Sequence, residues 1–167
     1  TKRHDVIIHM DMPGESQTAG LYSLLQGNKG KHYYQVNYDA YYNTLFADMT
    51  MYPDGSKPMY MLTWPDVGTF NTGLALTDDI TLSPYHHIRL SAKGAWQHQH
   101  INNDEGYQAL NIYFPGMDRG NSRFIGRIAA SYAYEHSGLK LAIGTGYGMR
   151  APTVTESYGY FLNNTFD

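Results

Sequence analysis

The sequence predicts an all-β fold, an antiparallel sheet of about seven strands with the alternation and loop pattern of a transmembrane β-barrel. Three observations carry this expectation. Apolar and polar residues alternate with period two in run after run, the mark of strands whose two faces differ. The connections come in two sizes, tight turns and long loops. Tyrosine occurs 16 times beside 17 Gly and 8 Met in 167 residues. That composition suits the aromatic girdles of a membrane interface, and equally suits sticky binding loops.

Composition narrows the function classes. The net charge is -3, mean hydropathy is -0.49 and Cys is absent, which excludes disulfides and thiolate metal sites. The charge balance gives no basis for a nucleic-acid partner. No apolar run approaches the roughly 18 residues of a transmembrane helix, but barrel strands alternate and need no such run. No secretory signal is evident. The strand-like opening at Thr1-Lys2-Arg3-His4-Asp5 and the close at Phe166-Asp167 lead to the expectation of a fragment cut at both ends.

Taken in order, Val6, Ile8, Met10 and Met12 alternate with Asp5, His9 and Asp11. Pro13 to Gly30 reads as a long loop, with one helical turn at Tyr22 to Gln26. Tyr34, Val36, Tyr38, Ala40 and Tyr42 share one parity, after which apolar residues switch to odd positions at Leu45, Ala47, Met49 and Met51. A hairpin turning at Asn43-Thr44 explains the switch; one long strand with a bulge is the rival. Pro53 to Pro65 reads as a second long loop. Then come strands through Phe70–Leu82, Ile88–Trp96, Phe124–Tyr134 and Leu139–Met149, joined by short turns at Ser83-Pro84-Tyr85 and His136-Ser137-Gly138 and by a long loop from Asn102 to Ser122. With the hairpin, short turns fall on one side and long loops on the other, as periplasmic turns and extracellular loops do in outer-membrane barrels.

The last strand runs into Arg150-Ala151-Pro152-Thr153, then Glu156 and an aromatic cluster. A strand ending in R-A-P-[ST]-x-x-E-x-Y-G resembles a late barrel strand of the TonB-dependent outer-membrane receptors. The stretch Gly73 to Ser83 is similar to that family's G-L-[FY]-x-Q-[DE]-E-[IW]-x-[LF] strand, and order and spacing match from Thr69 to Asp167. Met149 departs from the family's usual aromatic before the Arg, and neither a plug domain nor a TonB box is seen in the sequence. The resemblance implies a bacterial outer-membrane location, lipid around the barrel, and uptake of a scarce chelate (iron–siderophore, haem, cobalamin or similar) without catalysis. It implies coupling to the TonB complex through parts outside this chain. The alternative is a soluble, Tyr-rich β-sandwich that binds carbohydrate or protein.

Arg150, Pro152 and Glu156 are expected to be architectural, with Pro152 ending the ladder for want of an N–H. Ligand-contact candidates are Tyr60, Trp64, Tyr107, Tyr113, Phe114 and Arg119, because aromatic and Arg residues dominate binding hot spots. Gly144, Gly146 and Gly148 precede no helix start and so make no phosphate loop. His98 and His100 share a strand face at metal-site spacing, but on the side assigned outward. No catalytic set, metal set or cofactor is assigned, and Asn163-Asn164-Thr165 is a chance sequon.

Overall fold

The computed structural model describes residues 7–55 and 57–158. Val6, Gly159 to Phe161 and the Asn163-Asn164-Thr165 sequon, for which the sequence raises expectations, lie outside the described residues. The strands are β1 (Ile7–Asp11), β2 (Gly14–Lys29), β3 (His32–Pro53), β4 (Met59–Ser83), β5 (His86–Ile101), β6 (Gly120–His136) and β7 (Leu139–Gly148), with helices α1 (Asp104–Tyr113) and α2 (Val154–Tyr158). All pairings are antiparallel, in the order β1-β3-β4-β5-β6-β7 with β2 also beside β3, and among the described residues the sheet is not closed.

Two expectations are corrected along the first third. The segment from Pro13 to Gly30, with its helical turn at Tyr22 to Gln26, is strand β2, paired with β3 from Gly14↔Ala47 to Lys29↔His32. Asp11↔Thr50 continues the same register, so β1 and β2 are one line interrupted at Met12-Pro13. Pro13 lacks a donor, but its carbonyl still accepts from the Asp48 amide at 3.3 Å. The true turn is Gly30-Lys31, with Gly30 at φ 62°.

Nor does the chain turn at Asn43-Thr44, since β3 runs unbroken through both. The bulging lies in β4 instead. From Leu45 to Asp48 is three steps along β3, whereas the paired stretch from Val67 to Leu62 is five. Two extra residues are therefore taken up around Thr63–Asp66, where Asp66 sits at φ 44°. The apolar parity of β3 changes because a different face is buried above this point: Ala47 and Met49 are both buried.

The loop expected over Pro53 to Pro65 shrinks to positions 54–58, and Tyr60 and Trp64 fall within β4. Alternation of connection size is then strict. Tight turns at 30–31, 84–85 and 137–138 lie at one end; the connections at 54–58 and 102–119, and the chain after Gly148, lie at the other. Ser137 and Gly138 both have positive φ, 48° and 82°, as a two-residue hairpin turn of matching twist requires.

Register sorts the faces. Tyr38, Leu74, Gly94 and Gly126 align on one; Val36, Leu76, Ala92, Ile128 and Tyr147 follow beside them. Among the described residues no second sheet covers this apolar face, and Phe124, Ile128 and Ile143 are 70%, 62% and 74% exposed. Asp78, a charged residue on this face, pairs with His32 at 2.7 Å near the Gly30-Lys31 turn. The opposite face is polar and cross-linked. Arg89 grips Asp79 with two bonds of 2.5 and 3.1 Å, Lys93 meets Asp39 at 3.3 Å and Lys140 meets Glu135 at 2.9 Å. Asn43 ties Ser16 and Thr18 across the β2–β3 pair.

At the long-loop end, Val67 and Ile101, paired across β4 and β5, form a core with Leu110 of α1 and Tyr158 of α2. This cluster fixes both helices to the sheet. Ile101→Ala removes the apolar floor under Leu110 and Tyr158; unfolding in denaturant is expected to show a loss of about 3 kcal/mol.

Candidate functional site at the long-loop end

The Arg150–Glu156 segment closes on itself. The last ladder bond of β7 runs from the Met149 amide to Gly126 O at 2.9 Å. The next residue, Arg150, donates Nη1 to Glu156 Oε2 at 2.7 Å and Nη2 to Oε1 at 2.6 Å, a bidentate pair. The same carboxylate accepts from the Thr153 amide at 2.8 Å, while the Glu156 amide donates to Thr153 Oγ1 at 3.2 Å. That exchange is a capping box, and it starts α2. Arg150 and Glu156 thus pair with each other rather than bracing neighbouring strands. The Arg150 bond, with the Thr153 amide next, holds the Glu156 carboxyl at about 2.

α2 then delivers Ser157 and Tyr158 onto the polar face of the sheet. Ser157 Oγ donates to Gln99 Oε1 at 3.0 Å, and the Tyr158 hydroxyl donates to Gln99 O at 3.4 Å. Burial raises the Tyr158 phenol, with Arg123 opposing and Asp118 assisting. Beneath Ala151–Val154 lies a cavity of about 470 Å³ lined by Asn43, Asn71, Gln97 and Gln99. These neutral amides suit a polar, uncharged surface better than an ion.

Of the six ligand-contact candidates, Arg119 and Tyr107 serve the scaffold. Arg119 donates Nε to Ile101 O and Nη2 to Asn102 O, both at 2.8 Å, and Nη1 to Asp104 Oδ1 at 2.5 Å. Its guanidinium also lies 5.8 Å from the Tyr107 ring centroid. The Tyr107 hydroxyl donates to Met117 O at 3.1 Å. Together they bind the entry and exit of the β5–β6 connection. Phe114 closes α1, its amide donating to Leu110 O at 2.9 Å, and its ring is exposed. Trp64 is partly buried, and its Nε1 has no hydrogen-bond partner among the described residues.

Tyr60 and Tyr113 do come together. They line a groove of about 620 Å³ between the β3–β4 hairpin and α1, with Phe46, Met51, Met59, Met61, Leu62 and Glu105. Sequence reasoning named Tyr60 and Tyr113 but not Phe46, Met51, Met59, Leu62 or Glu105 as site residues, because it placed no helix opposite the hairpin. The helix had a local signature: Asn103 caps it by accepting from the Gly106 amide at 2.7 Å, and Asp104 and Glu105 fill the first turn. His98 and His100 stack in a row with Trp96 on the apolar face, and His98 Nδ1 meets Ser122 Oγ at 2.8 Å. No family model, curated protein or solved structure matches the chain.

Two outcomes follow from this geometry. The Glu156 carboxyl is depressed from 4.5 to about 2, so its contribution is full above pH 4.5 and is lost as pH falls through about 2. A carboxyl titration by NMR is expected to find the α2 amides losing protection in that acid window; Thr153→Ala, which removes the cap, is expected to cost about 1 kcal/mol of local stability. Arg119→Ala strands two backbone carbonyls, so hydrogen exchange across α1 is expected to accelerate even with no ligand present, which a purely ligand-gripping Arg would not cause.

Proposed function

We propose that this chain is part of the barrel of a TonB-dependent outer-membrane receptor that takes up a scarce chelate. One observation supports the reading above the others: an uncovered apolar face is backed by an ion-paired polar face, and every long connection lies at the same end. A soluble sandwich buries its apolar face against a second sheet. Here that face carries Ile88, Leu90, Ala92 and Gly94 and ends at Trp96, a run of nine residues, close to the 9–11 that cross a bilayer as a tilted strand. Aromatics bound the band at both ends. Tyr42, Phe70, Trp96 and Phe124 stand toward the long loops, with Phe70 and Trp96 edge to face at 5.9 Å; Tyr132 and Tyr134 stand toward the tight turns, the first stacked with His86 and the second tilted against it. Such girdles mark the two membrane interfaces.

In this reading the tight turns are periplasmic and the helices crown the extracellular mouth. β3 and β4, at 22 and 25 residues, are longer than a crossing needs and project beyond the bilayer. The polar face lines the lumen. The open edges of β2 and β7 pair with further strands of a longer chain, since unpaired edges are not tolerated in lipid. The cargo is a chelate held in the groove by Tyr60 and Tyr113 with its methionines. No bond is broken; ligand binding is transmitted to the TonB complex through parts beyond this chain.

The absence of Cys makes the test direct. Leu90→Cys and Ser91→Cys place spin labels on opposite faces of one strand. In outer membranes the label at 90 is expected to collide with dissolved oxygen and not with a water-soluble nickel chelate, and the label at 91 to show the reverse bias. Equal access of the nickel chelate to both positions would sink the barrel reading.

A further inference from the structure

Six of the eight methionines gather at one corner of the sheet, the tip of the β3–β4 hairpin. Met10, Met51 and Met59 stand directly across from one another on β1, β3 and β4; Met49 and Met61 form the next row. Met12 lies in the break between β1 and β2, level with Met49 by the register on either side. Three Met-x-Met pairs are thereby brought side by side. Residues opposed in an antiparallel ladder hold their Cβ atoms about 5 Å apart, and the three rotatable bonds of Met let neighbouring sulfurs converge.

Packing does not account for this cluster. Met49 is buried, but Met10, Met12 and Met59 are 50%, 59% and 49% exposed. β-branched residues suit a strand better than Met, and a solvated strand end has no irregular void for Met to fill. What the corner does offer is a dense set of soft, uncharged donors reachable from solvent, on the flank of the groove lined by Met51, Met59 and Met61.

We propose that this corner binds a soft monovalent cation, Cu(I), through three or more thioether sulfurs. Thioethers select Cu(I) among biological metals. They carry no proton to displace, so affinity at this site is flat with pH, whereas Cys, His and carboxylate sites weaken in acid. The inference does not rest on the barrel reading, because the ladder belongs to one sheet whether or not that sheet closes.

The test uses the full-length protein, Ag(I) as a redox-stable probe, and Cu(I) held by a chromogenic competitor. One tight equivalent is expected, with sulfur as the neighbouring atom in X-ray absorption, and with equal affinity at about pH 5.5 and about pH 8. Replacing Met51 and Met59 together by Leu conserves volume and is expected to weaken binding by about tenfold or more. Met149→Leu, outside the methionine cluster, is expected to leave it unchanged. Absence of saturable binding, nitrogen or oxygen neighbours, or undiminished affinity in the double Leu variant would each overturn the assignment.

Discussion

The structure depends on the difference between the two faces of a single sheet. One face is apolar and open, with aromatic rings toward its ends; the other is polar and cross-linked by ion pairs such as Arg89–Asp79 and Lys93–Asp39. Each strand obeys the same sorting because side chains alternate at every residue. A slip of one residue between any two strands would put charge among the Leu and Ile side chains, so register is held by the whole sheet at once. The helices follow from this too. They pack where the polar face gives way to apolar residues, at Val67 and Ile101, above the polar stretch that carries Asn71 and Gln97.

Strands with clean alternation were legible in the sequence, as β5 to β7 and the later part of β4 illustrate. The Leu139 strand and its turn at Ser137-Gly138 fall where the pattern placed them. β2 was not legible because its apolar residues come in adjacent pairs, Leu21-Tyr22 and Leu24-Leu25. Opposite pairing partners, Ala40 and Asp39 for the first pair, show that each pair is split between the two faces. Period-two reading cannot register a strand with large apolar groups on both sides. The Asn43-Thr44 hairpin failed for a related reason. A change of apolar parity was read as a change of direction, when it was a change in which face is covered.

The candidate site was legible as residue types and not as an arrangement. Tyr60 and Tyr113 line one groove because α1 folds over the hairpin, a tertiary fact that no local pattern contains. Arg119 looked like a ligand arm because exposed Arg in an aromatic loop has that look. Its donors are instead occupied by the carbonyls of Ile101 and Asn102 and by Asp104. Glu156 shows the opposite case. The Thr-x-x-Glu spacing encodes a capping box by itself, and Arg150 completes it with a charge.

The irregularity in β4 carries a consequence for how this hairpin can vary. The strand gains two residues between Val67 and Leu62, taken up as two one-residue shifts, one opposite Leu45–Ala47 and one opposite Ala47–Asp48. In a bulge two residues face one partner, so the ladder resumes beyond it with opposed side chains still sharing a face. Met59 and Met61 accordingly emerge on the same side as Met51 and Met49, their partners. Loss of one shift would shorten the flank of the hairpin and leave the pairing of its tip intact, so this segment is a length buffer between the body of the sheet and its methionine corner.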